Sequence, residues 1–465
     1  MLVVGAGPAG LTVSAQPQAF GASTRVVDRH APAATLAAQG RCPPPTPGGR
    51  ERNDWRTCRF EAPSRRVASR VDRSGPPGEK VRSLTRTRQV VIVGAGVGGL
   101  CAAIALRRFG LGVVVLERAA ELREVGAGVL LWPNAMRVLR RLEVGAAVEE
   151  AGAVATQAGL RSSRGNPLGA DRVEELATRF GAPLVVVHRG LLQAILLAAL
   201  DQGVLRLGAE CVGVAQDAAG VTVRLADGST EHGDLVVGAD GLHSQVRAVL
   251  VGDGPPHYSG YTAWRGIVPL DLSLAGRLHP GESWGRGCLF GVARLGGNQA
   301  YWWASARTGE GAGGSPAQEK AAVERRFGVW HDPIPELIDA TLEQAIVRSG
   351  LYDRPPLPRW SAGRVGLLGD AAHPMLASLG QGACQAIEDA AALGDAIGAG
   401  PDVTVALQAY GAGRAPRAAA VARRVRQVAR LAHLRHPLAV AVRDAWLRVT
   451  PPSALLRTGD QRPGT

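Results

Sequence analysis

Two stretches of this 465-residue chain carry glycines at the spacing that brings a peptide backbone against a diphosphate. "MLVVGAGPAGL" places Gly5, Gly7 and Gly10 behind a short apolar run, and "VVIVGAGVGGL" places Gly94, Gly96 and Gly99 behind another. A G-x-G-x-x-G turn between strand and helix lets main-chain amides at a helix N-terminus meet a pyrophosphate, and an acid ending the next strand takes ribose hydroxyls. Asp28 and Glu117 occupy that acidic position, each 23 residues beyond its first glycine. From these residues alone, a tight strand-to-helix turn without a ligand stays open as the alternative.

Two further stretches repeat the strand–turn–helix pattern: "DLVVGADGLHSQVR" at 234–247 and "GRVGLLGDAAHPMLASLGQGACQAIEDA" at 363–390. They put Asp240 and Asp370 at strand C-terminal ends, where open α/β sheets bind ligands. Asp370 suits a ligand hydroxyl. Gly380, Gly382 and Ala383 sit where a helix over 381–397 begins, and the positive end of that helix stabilises negative charge on a bound ring. For either aspartate, capping of its own helix is the competing reading.

The elements that must position these residues follow from periodicity. Strand 90–93, helix 97–109 and strand 112–117 form one β-α-β unit. A helix over 134–142, a strand over 184–187 and a helix over 189–200 follow. Short strands fill 204–238, and 260–306 alternates aromatic and small residues as an antiparallel or mixed sheet does. A buried strand spans 364–369, and helices fill 402–449. The pattern predicts an α/β fold: a Rossmann-like nucleotide-binding domain interleaved with a β-sheet domain, closed by C-terminal helices.

Taken together, the motifs resemble the single-component FAD-dependent aromatic hydroxylases, the group A flavoprotein monooxygenases that include salicylate, hydroxybenzoate and urate hydroxylases and zeaxanthin epoxidase. The resemblance covers about 90–450. It implies FAD as cofactor and NAD(P)H as cosubstrate, with hydroxylation or epoxidation of an aromatic or electron-rich small molecule through a flavin C4a-hydroperoxide. It implies that Gly94, Gly96, Gly99, Glu117 and Arg118 hold the adenosine and pyrophosphate, and that Val129 lies beside the flavin ring. It places Arg189 at the pyrophosphate, Asp240 in the motif serving both nucleotides, and Asp370 with Gly380, Gly382 and Ala383 at the ring. "GYTAWRGIVP" at 260–269 resembles the family's substrate-domain sheet and offers Tyr261 and Arg265 as pocket residues. Arg265 suits a substrate carboxylate or a structural pairing across the sheet equally. His373 reads as structural, and His188 and His257 have no recognisable partners. Ala377 departs from the family, which usually has proline there. A looser loop against the ring, and leakage of reducing equivalents as peroxide, is the expected consequence. Another flavoprotein of the same superfold, a reductase or halogenase, is the alternative; a halogenase W-x-W-x-I-P motif is missing. A catalytically decayed flavin-binding protein is a further one.

Composition narrows the classes. The net charge of +13 resides in 41–90, at +8, and 414–465, at +9, so the remainder is mildly acidic. Nearly all the basicity is arginine, and no helix-turn-helix or stacking-aromatic pattern accompanies it, which speaks against nucleic-acid binding. The basic and apolar mixture of 414–449 reads as packed helices with a solvated face, with contact to anionic lipid as the alternative. No apolar run reaches the ~18–20 residues of a membrane span. The six cysteines are scattered, with no metal-ligand spacing, which points to reduced thiols and a cytoplasmic location. The expected organisation is an orphan partial β-α-β repeat at 1–30 and a Pro/Arg-rich disordered linker at 31–89. The monooxygenase then fills 90–450. Its FAD-binding parts lie near 90–165, 185–255 and 360–400, its substrate-domain sheet near 256–350 and its helices at 402–450; a flexible tail closes the chain at 451–465.

Overall fold

Valine-rich "QVVIV" forms strand β1 (Gln89–Val93), with four of five residues buried, and runs through the glycine turn into α1 (Val97–Arg107). The computed structural model describes residues 88–122, 127–311 and 313–450. The orphan repeat, most of the linker and the tail expected from the sequence lie outside these residues.

After α1 the chain returns through β2 (Gly112–Leu116). Next come β3 (Gly128–Leu131), β4 (Val185–His188), α2 (Arg189–Ala198) and β5 (Leu235–Gly238). Four long partners follow: β6 (His257–Pro269), β7 (Gly281–Trp284), β8 (Cys288–Leu295) and β9 (Gln299–Arg307). The chain closes with β10 (Val365–Leu367), α3 (Gln381–Gly398), α4 (Val403–Ala432) and α5 (Pro437–Val449).

The first sheet has six strands. Strand β1 lies between β5 and β2, and β10 lies outside β5, all parallel. The short strands Leu205–Arg206 and Ser361–Ala362 form its edges. Parallel strands buried on both faces read as continuous apolar runs, which is why "VVIV", "VVVL" and "LVVG" carry no alternation. Helices α1 and α3 pack together across it, with Gly98 so close to Leu368 and Ala386 that a Cβ there would lie 2.6 Å from the Leu368 side chain.

The second sheet has seven strands in the order Val347–Asp353, β6, β9, β8, β7, Gln157–Ser162, Pro167–Arg172. Its aromatic alternation divides two faces. Trp264, Phe290 and Trp302 join a separate core under the helices Pro316–Phe327 and Ile334–Asp339, whereas Tyr261, Tyr301 and Trp303 join the main core. The sequence reading assigned everything up to 165 to the first domain. The structure instead places Gln157–Ser162 in the second sheet, parallel to β7. "QAGLRS" is too short and mixed for its periodicity to reveal a partner more than a hundred residues away.

Candidate active site

The three glycines of the second fingerprint do three different things. Gly94 adopts φ +107°, and a Cβ on it would sit 2.4 Å from the Ala239 carbonyl oxygen. A Cβ on Gly99 would lie 2.0 Å from the Gly94 oxygen, so α1 rests directly on the turn. Gly96 is the N-cap of α1 and has no heavy atom within 4 Å of the Cβ position. It faces open space, with the free amides of the first helical turn behind it. No acidic residue lies in that turn to occupy the positive end.

A cleft runs over the C-terminal ends of β1, β2 and β5. One lobe has a cavity volume of about 210 Å³ and is lined by Gly94, Gly96, Arg118, Asp240, His243 and Asp370, among others. A second lobe of about 550 Å³ lies against Ala119, Leu122 and Gln193; the two share Gly96, Glu117 and Arg189. Glu117 accepts hydrogen bonds from Ala95 N (2.9 Å) and Ala119 N (3.0 Å), one to each oxygen, which fixes the carboxylate in the cleft wall with lone pairs to spare. Gln193 donates to Ala95 O at 2.9 Å and ties the glycine turn to α2. Gln193 escaped the sequence reading because a glutamine on a helix carries no motif.

Arg189 is half-buried where the two lobes meet. Burial lowers its pKa, opposed by the nearby Asp370 charge. Asp370 is 7% exposed, and no hydrogen bond reaches its carboxylate among the described residues. Burial pushes it up to about 7, against the pull of His373 and Arg189. Asp240 differs. Its carboxylate accepts from Ser244 Oγ (2.5 Å), Gln245 N (2.7 Å) and Val246 N (3.1 Å), so it fastens the start of the helix Gln245–Leu250, as the capping reading anticipated. Its burial also raises its pKa. His188 caps α2 by accepting from Gly190 N at 3.2 Å, and His257 is exposed at the start of β6.

Behind Asp370 stands a buried ionic network. Asp389 accepts from Gly369 N (3.0 Å) and Arg414 Nε (2.6 Å), and His373 Nε2 lies 2.5 Å from it. Arg414 reaches Glu388 as well, and Glu388 also receives Arg417 and Asn134. Burial alone would raise Asp389, but His373 and Arg414 outweigh it and hold the carboxyl at about 2. His373 is thus a strut for the Asp370 turn, in line with its structural reading. The following loop, with Ala377 buried, leads to Gly380. That residue caps α3 in the left-handed region at φ +61°, ahead of Gly382 and Ala383 in the first turn.

Strand β3 joins this cleft to the second sheet. Gly128, beside the buried Val129, leaves so little room that a Cβ would lie 2.5 Å from the Tyr301 ring. Arg265 is buried on the same inner face of the sheet and donates from Nη1 to Ser349 Oγ at 2.6 Å. Among the described residues Arg265 Nε has no hydrogen-bond partner. Burial raises the Tyr301 pKa, opposed by the nearby Arg265 charge and by a side-chain contact between the two groups. Tyr261 stacks on His433 at 4.3 Å, and His433 Nε2 accepts from Ser305 Oγ at 2.9 Å, so the end of α4 clasps the inner face. Burial lowers His433 to about 4. Nearby, buried Glu282 accepts from the indoles of Trp284 (2.8 Å) and Trp303 (3.0 Å). The sequence pattern offers Tyr261 and Arg265 here but not Tyr301 and Glu282, which come to one face only through strand register, nor His433, which arrives at the end of α4.

Residues 87–425 match the family model of the FAD binding domain, and the chain belongs to that family. It is similar to the aurachin C monooxygenase/isomerase of Stigmatella aurantiaca, 43% identical over 71% of this chain and 85% of the relative. It is also similar to the 3-amino-4-hydroxybenzoate 2-monooxygenase of Streptomyces cremeus, at 37% identity over 78% and 93% of the two chains. Among solved structures, Klebsiella pneumoniae HpxO complexed with FAD and uric acid superposes with a TM-score of 0.76, 29% identity, and 81% and 97% coverage. The chain is an FAD-dependent monooxygenase, with the NAD(P)H cosubstrate typical of its family. The glycine turn open at Gly96 and the unpartnered carboxylate of Asp370 both fit FAD.

Proposed function

We propose that this enzyme hydroxylates, or epoxidises, a small aromatic molecule that carries an acidic group. The ring would lie over the inner face of the seven-stranded sheet, its acidic group against Arg265 and Tyr301. The observation that carries this reading is the buried guanidinium of Arg265, which sits against the Tyr301 hydroxyl and whose Nε makes no hydrogen bond among the described residues. A buried donor without an acceptor costs about 1–3 kcal/mol, so such a guanidinium suits a ligand that supplies the missing oxygen atom. Relatives named for aminohydroxybenzoate, urate and 6-hydroxynicotinate support an acidic aromatic class.

In this reading the FAD diphosphate rests on the amides behind Gly94, Gly96 and Gly99, with Arg189 and Arg118 balancing its charge. Glu117 accepts the adenosine ribose hydroxyls, and Asp370 accepts a ribityl hydroxyl. Val129 and the first turn of α3, from Gly380 through Gly382 and Ala383, border the ring, and Asp240 holds the cleft wall. When bound, FAD supplies the redox chemistry that takes electrons from NAD(P)H and activates O2. The chain's residues orient the substrate ring, exclude water through the Trp284–Trp303 wall, and stabilise negative charge at the N-terminus of α3.

The test is NAD(P)H oxidation and product formation over paired aromatic substrates with and without a carboxylate. Arg265→Gln is expected to raise KM for the carboxylates at least tenfold, with kcat changed less than threefold. Equal KM values for wild type and variant across the panel would overturn the assignment of the acidic group to Arg265.

A further inference from the structure

Helix α5 buries Arg443 and Leu447 on its inner face and carries an apolar stripe on its outer one. Arg443, 2% exposed, points into the protein, where it donates to Gly285 O (3.3 Å) and Ala432 O (3.1 Å), bonds Asp444 and lies over the Trp284 ring. The outer face carries Leu438, Val442, Trp446 and Val449, exposed at 71, 70, 44 and 81%, with Ala441 and Ala445 between them. The spacing is one continuous helical stripe. A stripe of this kind facing water calls for a covering surface.

The exposed charges of 430–449 and of neighbouring Arg286 are basic. Arg430, Arg435 and Arg448 are exposed, and Arg286 reaches in to donate to Arg435 O at 3.3 Å. Asp444, the acid of this segment, is held by Arg443. A second copy of the chain is a poor fit. A 13-residue helix is about 20 Å long and about 11 Å across, so its outer face offers on the order of 250 Å². A stable dimer needs about 800 Å² per partner. Two such faces would also bring the arginines together. No helix among the described residues is long and apolar enough to cross a membrane, so the contact would be peripheral.

We propose that α5 seats the enzyme on an anionic lipid surface. Leu438, Val442, Trp446 and Val449 enter the boundary between headgroups and acyl chains, and Arg435, Arg448 and Arg286 meet the lipid phosphates. The sequence reading set this role against a solvated basic face for 414–449 as a whole. The structure separates the two: α4 packs on α3 and the six-stranded sheet, and within 414–449 the exposed large apolar side chains all lie on α5.

The test is co-sedimentation of the full-length, FAD-loaded enzyme with vesicles of phosphatidylcholine alone or with 30 mol% phosphatidylglycerol, at low and high salt. The expected result is binding to the mixed vesicles at least fivefold above neutral ones, weakened by salt. Val442→Ser with Trp446→Ser should lower the partition constant at least tenfold without changing the melting temperature or flavin content, because both side chains are exposed. Arg435→Gln with Arg448→Gln should lower it roughly tenfold. Four outcomes would overturn the proposal. The first is no binding above the vesicle-free control. The second is binding indifferent to phosphatidylglycerol or to both variants. The third is a solution dimer that the apolar variant dissociates. The fourth is binding that emerges only after removal of residues 451–465, which would make that segment the native cover.

Discussion

Around the parallel sheet, buried carboxylates have their partners built in. Glu117 receives two backbone amides, Asp240 receives two amides and a serine, and Asp389 is met by an arginine, a histidine and an amide. On the inner face of the seven-stranded sheet, the buried Arg265 Nε has no partner among the described residues, and the Tyr301 hydroxyl has only Arg265 beside it. The first region fixes its ligand mainly through backbone shape, with the Asp370 carboxylate open beside it and His373 Nδ1 unpaired behind it. The second leaves side-chain valences open for whatever enters. A cofactor common to a family suits the first design, and a substrate that varies within the family suits the second.

Gly99→Ala should break the backbone half most severely. Its Cβ would overlap the Gly94 carbonyl, and neither the turn nor α1 can yield cheaply. The expected result is a destabilised protein purified without flavin, read by the 450 nm absorbance and the melting temperature.

Arg414→Ala comes next. It takes from buried Asp389 and Glu388 the cation they share, leaving Asp389 with His373 and Gly369 N and Glu388 with Arg417 and Asn134, which costs about 3 kcal/mol in chemical denaturation. Asp389 sits at about 2, against about 3.9 in an unfolded chain. Its stabilisation is therefore complete above about pH 4 and lost as pH falls through 2, and Arg414→Ala should shrink that acid-dependent part of the unfolding curve, the share due to His373 remaining.

Asp370 works in the opposite sense. With its carboxyl at about 7 in the folded apoprotein, the folded state holds the proton more tightly than the unfolded one. That contribution is full below about pH 4 and lost as pH rises through 7, by up to about 4 kcal/mol. Asp370→Asn should flatten apoprotein stability between pH 5 and 8 and raise the melting temperature at pH 8. It should weaken FAD binding in the same protein, because the hydroxyl acceptor becomes a poorer one.

The smallest effect expected is that of Ala377→Pro. Among the described residues the Ala377 amide makes no hydrogen bond, and its carbonyl receives Gly380 N at 3.1 Å. Stiffening this loop should add about 0.4–1 kcal/mol of stability and lower the peroxide released per NAD(P)H oxidised. An unchanged peroxide yield would remove the loop from the account of coupling.

This division also explains what could be read in the sequence. Gly94, Gly96, Gly99 and Glu117 were legible because a β-α-β unit places them within about thirty residues of chain. Asp370 and the start of α3 were legible for the same local reason. The second sheet showed itself in aromatic alternation over 260–306, but not in its edge: Gln157–Ser162 pairs with β7 across more than a hundred residues. Tyr301 and Glu282 look like ordinary strand residues until register brings them to one face. His433 reaches Ser305 from 128 residues away, and nothing local marks it. Asp240 was seen, but the choice between cleft and helix cap needed the amides of Gln245 and Val246.

The most direct test of the central claim is FAD titration of the full-length chain and its Gly96→Ala variant, followed by flavin fluorescence alongside thermal melts. A Cβ on Gly96 would meet no heavy atom within 4 Å, so the added methyl should leave the unliganded melting temperature within about 2 °C while intruding on the diphosphate position. The account predicts about one FAD per wild-type chain and at least tenfold weaker binding in the variant. Unchanged affinity in Gly96→Ala would contradict it and turn attention to the fingerprint at Gly5, Gly7 and Gly10.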